Sequence, residues 1–499
     1  MMDRTQKENI RIRRTDERKA KTHSPSEGKN ESCRTDVGKT RTLRTDTVRT
    51  LVCLLFAIFA FEVFSIPGIR LSFFLPKHNK SLTIGCFYGG TGPGDFEGVQ
   101  NTILLAIGEY QKKYPDVEVQ FEKGIPCEGY SEWLMGKYLE GKEPDVFIAR
   151  QEDLSVLTKK NMLMPLQDEP VQKMKAFYPP LVDACRWDGI LYALPVMCNP
   201  QMMAVNIDFL RTYVGNDPSP DWSWGDFHQM CRICTGSSVK AQDYPRYGVT
   251  GYTWEMAAAS NGAKLFDEYG VNNYLDELKC VQAVTYHHSL NDLMTEMVDF
   301  TSGQTAFSPM WASDWRKYST PPFAATQENG FSWYCTTMPA GPGGGNISRT
   351  ELLAGAVSRR STCREDAVHF LEILAGNDTV QQSVLDETWC LPASSKILPR
   401  FVSSNQSSVD SLKYHPSADK SKYQTSTGRL KSTYEASAVD YGLLDQILNK
   451  AVVIRRFKGY EEILHKLDSE IREAGNNSGN FAVSLRRISN TMETYTGKQ

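Results

Sequence analysis

Apolar residues along this chain come in short runs that alternate with stretches at helical spacing. Leu82–Tyr88 (Leu-Thr-Ile-Gly-Cys-Phe-Tyr) ends in the glycine-rich stretch Gly89–Gly94 and reads as a strand entering a turn. Val99, Ile103, Ile107 and Tyr110 then recur at helical spacing until Pro115 closes the segment. Val117–Phe121 alternates as a strand and Ser131–Leu139 reads as a helix. Asp145–Ala149 is an apolar strand of the kind buried on both faces. This strand–helix succession predicts a parallel sheet in an α/β domain, with ligands beyond the carboxyl ends of its strands. The loops Tyr88–Thr91 and Arg150–Asp153 are the candidate site loops on that rule.

A second series comes after it. Ile190–Pro195 and Met203–Asn206 read as strands, Trp224–Cys234 as a helix, Tyr247–Tyr252 as a strand and Leu278–Leu293 as a helix. Pro339–Gly345 is a turn of Pro and Gly. Residues 402–434, rich in Ser, Lys and Tyr, read as a long surface connection. Leu443–Glu473 reads as helix again, with Ile463, Leu467 and Ile471 on one face.

The N-terminus breaks the pattern. Residues 51–61 are eleven apolar residues in a row, and a mostly apolar run continues to Leu75, interrupted by Glu62 and Pro67. Such a segment after a basic stretch reads as a signal-anchor or signal peptide. The positive-inside rule then places the chain beyond about residue 75 outside the cytoplasm. No lipid-attachment pattern surrounds Cys53. Residues 1–50 carry 14 Lys/Arg against 8 Asp/Glu, repeat Arg-Thr-Asp at Arg14, Arg34 and Arg44, and hold almost no large apolar residue. They read as a disordered basic tail on the cytoplasmic side.

Length, composition and charge narrow the classes. At 499 residues the chain exceeds one core, and with 23% charged residues it is neither wholly disordered nor polytopic. The net charge of −3, with the positive excess confined to the tail, argues against nucleic acid as partner. Twelve cysteines are too few for a disulfide scaffold, although an exported chain allows some pairing.

Candidate chemistry is sparse. Gly89–Gly94 lacks the Gly-Lys-Ser/Thr of a phosphate loop. His228, Cys231 and Cys234 spread over a helix without a fourth ligand, so they read as buried small residues rather than a metal or redox site. Neither G-x-S-x-G nor H-E-x-x-H occurs. Asp153, Glu255 and Asp314 are possible acids for glycoside cleavage. Trp254, Trp311 and Trp315 fall in segments read as strand ends or loops. An indole face packs on the apolar C–H face of a sugar, and the adjacent Glu255 and Asp314 would take its hydroxyl protons. The alternative for each ring is a place in the core.

Taken in order, Leu82–Gly94, Pro144–Ile148, Phe177–Pro179, Asp188–Pro195 (Asp-Gly-Ile-Leu-Tyr-Ala-Leu-Pro), Val205–Asp208, Trp222–Phe227, Gly262–Gly270 and Phe300–Phe307 (Phe-Thr-Ser-Gly-Gln-Thr-Ala-Phe) resemble the extracellular solute-binding proteins of family 1, which serve sugar-importing ABC transporters. The resemblance spans nearly all of 81–475. It implies a two-lobed, periplasmic-binding-protein-like α/β fold that closes on a solute about hinge strands. The lobes would be 82–193 plus 335–390 and 194–334 plus 391–499. Tyr88, Thr91, Arg150, Gln151, Asp153, Trp254, Glu255, Trp311 or Trp315, and Gly355 would line the cleft, with Asp314 beside the later tryptophans. The implied protein is a monomer without cofactor or metal. It would sit tethered by its N-terminal helix on the outer face of the cytoplasmic membrane, or be secreted, and hand a carbohydrate to a permease. Two other functions fit an exported chain of this kind, a glycoside hydrolase and the solute-sensing subunit of a signalling system.

Overall fold

The computed structural model describes residues 80–89, 98–166, 176–236, 245–265, 277–319, 331–402, 439–457, 459–476, 481–483 and 486. All belong to one unit, Pro76–Gln499. The basic tail, the apolar segment 51–75, Thr91 with residues 90–94, and the Ser-rich connection lie outside the described residues, apart from residue 402. Among the described residues no helix is long and apolar enough to cross a membrane.

The chain opens with strand β1 (Lys80–Tyr88), helix α1 (Val99–Lys113), β2 (Val117–Pro126), α2 (Tyr130–Glu140), β3 (Val146–Arg150) and α3 (Gln151–Lys159). β1 lies between β2 and β3 and is parallel to both, as the strand–helix alternation predicts. Helix α1 buries Val99, Ile103, Ala106, Ile107 and Tyr110, a stripe that carries the residues its periodicity picks out. Gly98 precedes it at φ 84°, and a Cβ there would stand 2.0 Å from the Glu387 carbonyl oxygen, so only glycine fits.

After α4 (Pro179–Asp183) and the two-residue ribbon β4 (Arg186–Trp187) and β5 (Ile190–Leu191) comes β6 (Ala193–Asn206), buried along all 14 residues. The sequence reading divides this segment into two strands because Asn199, Pro200 and Gln201 interrupt its apolar run. The structure keeps it continuous. Asn199 is satisfied by Ser313, and a register irregularity between Leu353 and Ala354 of the neighbouring strand accommodates the stretch around Pro195.

Helix α5 (Trp224–Cys234) starts at a capping box, where the Ser223 hydroxyl accepts from the Asp226 amide and the Asp226 carboxylate accepts from the Ser223 amide. After it come β7 (Tyr247–Thr250), α6 (Trp254–Ser260), α7 (Glu277–Ser289), β8 (Met294–Thr295), β9 (Thr305–Trp311), α8 (Ala312–Tyr318) and β10 (Trp333–Thr336). The glycine run after Pro339 packs backbone on backbone. A Cβ on Gly344 would meet the Ser260 carbonyl oxygen at 2.4 Å, while the Gly343 amide donates to Asn261 Oδ1 at 2.7 Å.

The chain closes with β11 (Arg349–Val357), α9 (Arg364–Gly376), α10 (Asp378–Glu387), β12 (Leu391–Pro392), α11 (Tyr441–Lys450), β13 (Val452–Val453) and α12 (Tyr460–Asn476). The single helix read over 443–473 is therefore two helices. The β-branched pair Val452–Val453 leaves the helix to pair with β11, and Gly459, at φ 87°, precedes the second helix. Ile463, Leu467 and Ile471 form its buried stripe.

The sheet runs β2-β1-β3-β11-β6-β9-β7-β8, with β10 and β12 also on β6 and β13 on β11. Its two ends are parallel, and antiparallel β11 and β6 join them. Two separate cores flank that junction. One gathers residues from β1 through most of β6, β11, α9, α10 and α11; the other gathers Phe227, Val249, Tyr252, Ala257, Val284 and Phe307 with Phe457, Ile463 and Leu467. Leu391, Ile397, Leu444, Ile447 and Val453 belong to the first core, and the chain reaches the second again only at Phe457.

The ten cysteines among the described residues are all free thiols, and all but Cys127 and Cys363 are buried. Cys231 and Cys234 sit in the second core against β7, where a Cβ on Gly248 would meet the Cys231 Cβ at 2.5 Å. Their place is packing.

Candidate functional site

Among the segments that pass from one core to the other are β6, the stretch from Met338 into β11, and the stretch from Val453 to Phe457. Beside them lies a cavity of about 650 Å³, within the range of small-molecule sites. Its lining includes Pro180, Asp183 and Asp188 from the part of the chain that builds the first core, Glu255, Ala259 and Lys264 from the part that builds the second, and Arg349, Ile454, Arg455 and Tyr460. A second cavity of about 430 Å³ lies on the second core's side, and Trp254, Glu255, His287, Asp468 and Arg472 are among its lining residues.

Glu255 borders both cavities and is 5% exposed. Its Oε2 accepts from the Thr253 hydroxyl at 3.0 Å and lies 3.4 Å from an Arg349 guanidinium nitrogen. Its Oε1 is buried and has no hydrogen-bond partner among the described residues, an arrangement that costs free energy until a donor arrives. The two arginines at the cavity are held by the protein. Arg349 donates to Gln201 Oε1 at 3.0 Å, and Arg455 donates to the carbonyl oxygens of Ala184 and Asp183 at 3.0 and 3.3 Å.

The other residues singled out in the sequence are scattered. Tyr88 ends β1 half-exposed, and Arg150 ends the adjacent parallel strand β3, so both stand at the carboxyl edge of the first parallel cluster. Arg150 forms ion pairs with Glu152 at 3.2 Å and Asp153 at 3.5 Å and donates to the Ser131 hydroxyl, which in turn donates to Asp153. Burial pushes the Asp153 carboxyl above the usual range, Glu152 adds to the rise, and Arg150 opposes it. Gln151 is buried and donates to the Ala184 carbonyl at 3.2 Å.

The three tryptophans are all buried, at element ends or within a helix rather than on loops. Trp254 begins α6, and its indole nitrogen donates to Asp468 on α12 at 2.7 Å. Trp311 ends β9, and Trp315, 1% exposed, lies in the first core. Trp254 borders the smaller cavity; none of the three is among the described residues lining the larger one. Asp314, on α8, has its carboxyl pushed up by burial. Gly355 lies in β11, where a Cβ would stand 2.6 Å from Leu371 Cδ2, so it admits α9 close to the sheet.

Sequence reasoning missed Arg349, Glu351 and Arg456. Arg456 donates to Glu351 at 2.8 Å and to Glu461 at 3.0 Å. Burial pushes the Glu351 carboxyl up to about 7 despite the opposing pull of Arg456. The available signal was the alternation Arg349-Thr-Glu351 opening an otherwise apolar strand.

The family profile for bacterial extracellular solute-binding proteins matches residues 95–381. An uncharacterized lipoprotein from the oleD 5′ region of Streptomyces antibioticus is 23% identical over 314 residues, 58% of this chain and 67% of that protein. The fold is shared with the cyclic alpha-maltosyl-1,6-maltose binding protein of Arthrobacter globiformis (TM-score 0.62, 13% identity, 83% of this chain and 98% of that one). It is also shared with the sugar-binding protein MalE of Xanthomonas citri (TM-score 0.61, 15% identity, 84% and 98%). The protein thus has the two-lobed fold of the periplasmic binding proteins. The profile covers more than half of the sequence, and the chain belongs to the bacterial extracellular solute-binding proteins.

Proposed function

We propose that this protein is the solute receptor of an ABC importer and that it binds a sugar or oligosaccharide in the larger cavity between its lobes. The observation that carries the reading is Glu255, a buried carboxylate at the cavity wall with one oxygen satisfied and the other without a donor. A ligand hydroxyl is the natural donor, and hydrogen bonds to a charged acceptor are stronger than neutral ones. The sugar-binding structures that share the fold support the ligand class.

On this reading the first lobe is about 80–198 plus 350–453, with Phe300, Ala312, Trp315, Phe331, Trp333 and Cys335 packed into its core, and the second lobe is the rest of about 203–338 plus 457–476, which moves the last boundary from 391 to the crossing near 455. Tyr88, Arg150, Gln151 and Asp153 stand at the strand ends that face the solute once the lobes close. Work comes from closure: a solute that touches both lobes stabilises the closed state, and the permease selects that state. The receptor acts on the extracellular face, with residues 51–75 as its tether or export signal.

The test is a thermal-shift screen of the full chain against mono- and oligosaccharides, with polyamines and amino acids as controls. Binding to the folded state alone raises Tm. The reading requires a rise with a sugar that is recovered intact. A rise accompanied by cleavage, or with a non-sugar solute only, overturns it.

A further inference from the structure

Arg349 connects the cavity wall to the hinge. It opens β11, the second crossing, where its guanidinium reaches Glu255 Oε2 at 3.4 Å and its Nε donates to Gln201 Oε1 at 3.0 Å. Gln201 lies on the first crossing, at the point where β6 changes neighbours: Pro200 is opposite Thr350 of β11, and Gln201 is opposite Trp311 of β9. Both ends of this bridge are buried, with Gln201 5% and Glu255 5% exposed. One side chain therefore joins a carboxylate of the second lobe to both strands whose backbone must bend when the lobes rotate.

Two physical facts give this bridge a consequence. A buried charge pair is sensitive to any change at either partner, because little water is present to compensate. The open Glu255 Oε1 leaves a place for a donor, and a donor there draws carboxylate charge away from Arg349. We propose that Arg349 is a positioning residue that holds Glu255 with Oε1 open to the solute and transmits events at Glu255, through Gln201, to the hinge. This rests on the reading of the larger cavity as the solute cleft. The pair Glu351–Arg456, farther along β11, ties the third crossing in parallel and lies outside the described walls of that cavity.

The test needs no ligand. Bioorthogonal dyes at positions 139 and 278, exposed by 84% and 69% on helices of the first and second lobes, report the interlobe distance in the full chain. Glu255→Gln, Gln201→Leu and Arg349→Gln are each expected to shift that distance in the same direction. Adding Glu255→Gln to Gln201→Leu is expected to shift it no further, because the path is already broken. An unchanged distance in Glu255→Gln, or a Glu255→Gln shift that persists in full beside Gln201→Leu, overturns the proposal. Should Arg349→Gln fail to fold, the other two variants and their double decide it. Because no sugar is involved, failure of the sugar reading shows in the thermal-shift screen and failure of the bridge shows here.

Discussion

Arg456 and Glu351, 105 residues apart in sequence, meet at 2.8 Å where the third crossing between the lobes lies against the second. Both are largely buried, at 33% and 11% side-chain exposure, and the guanidinium continues to Glu461 on the first turn of α12. The pair fixes where the chain leaves the first core for the last time.

This contact has a pH consequence. Burial lifts the Glu351 carboxyl to about 7 from the ordinary 4.5. The folded state then holds this proton more tightly than the unfolded chain, so its contribution to stability is greatest below about pH 4.5, falls as pH rises to about 7 and is level above. Over that window the loss is at most about 3 kcal/mol. Glu351→Gln is expected to flatten this part of the profile, read by urea unfolding at pH 5 and pH 8. An unchanged slope would contradict the assignment.

Trp254 separates a structural from a binding role. Its indole N–H donates to Asp468, tying α6 to α12. Trp254→Phe keeps the ring packing but leaves the Asp468 carboxylate without this donor, a loss of about 1–3 kcal/mol. Chemical denaturation should show that loss. Sugar affinity measured on the same variant shows whether the ring also serves the ligand.

Arg316 holds the end of α10. Its guanidinium donates to the carbonyl oxygens of Leu385, Thr388 and Cys390, at 2.6, 3.0 and 2.6 Å. Arg316→Met would strand these buried acceptors and cost about 3 kcal/mol or more. The expected result is a lower Tm, with the solute affinity of the folded protein unchanged.

Gly98 marks the tightest backbone approach. Gly98→Ala adds a Cβ 2.0 Å from the Glu387 carbonyl oxygen at a φ of 84°. The expected cost is at least about 2 kcal/mol, read as a fall in the denaturation midpoint.

The lobed fold was legible because it is written locally. The apolar runs at 82–88 and 145–149 and the 3.6-residue stripe of Val99, Ile103 and Ile107 state the parallel units directly, and the order of motifs does the rest. The crossings were not legible, since their features depend on partners far away in sequence. β6 reads as two strands because Asn199 and Gln201 look like breaks, yet Ser313 and Arg349 satisfy them from 114 and 148 residues away. Val452 and Val453 read as part of a helix until β11 is there to pair with them. Among the candidate site residues, Glu255 was singled out by its neighbour Trp254, while the arginine that orients it opens a strand, and its one local signal, the alternation Arg349-Thr-Glu351, does not point to a partner 94 residues away. The three tryptophans looked like platforms from their loop-like surroundings, but burial of each ring is decided by tertiary packing.

Sugar recognition through Glu255 is tested most directly by calorimetric titration of a maltodextrin series, maltose to maltotetraose, together with the sugars that raise Tm, into the full chain. A sugar receptor of this design requires one site per chain, a negative heat-capacity change from lobe closure, and a loss of affinity of at least about tenfold in Glu255→Gln. Saturable binding of a sugar that Glu255→Gln leaves untouched, or binding only of a solute without hydroxyl groups, would contradict it.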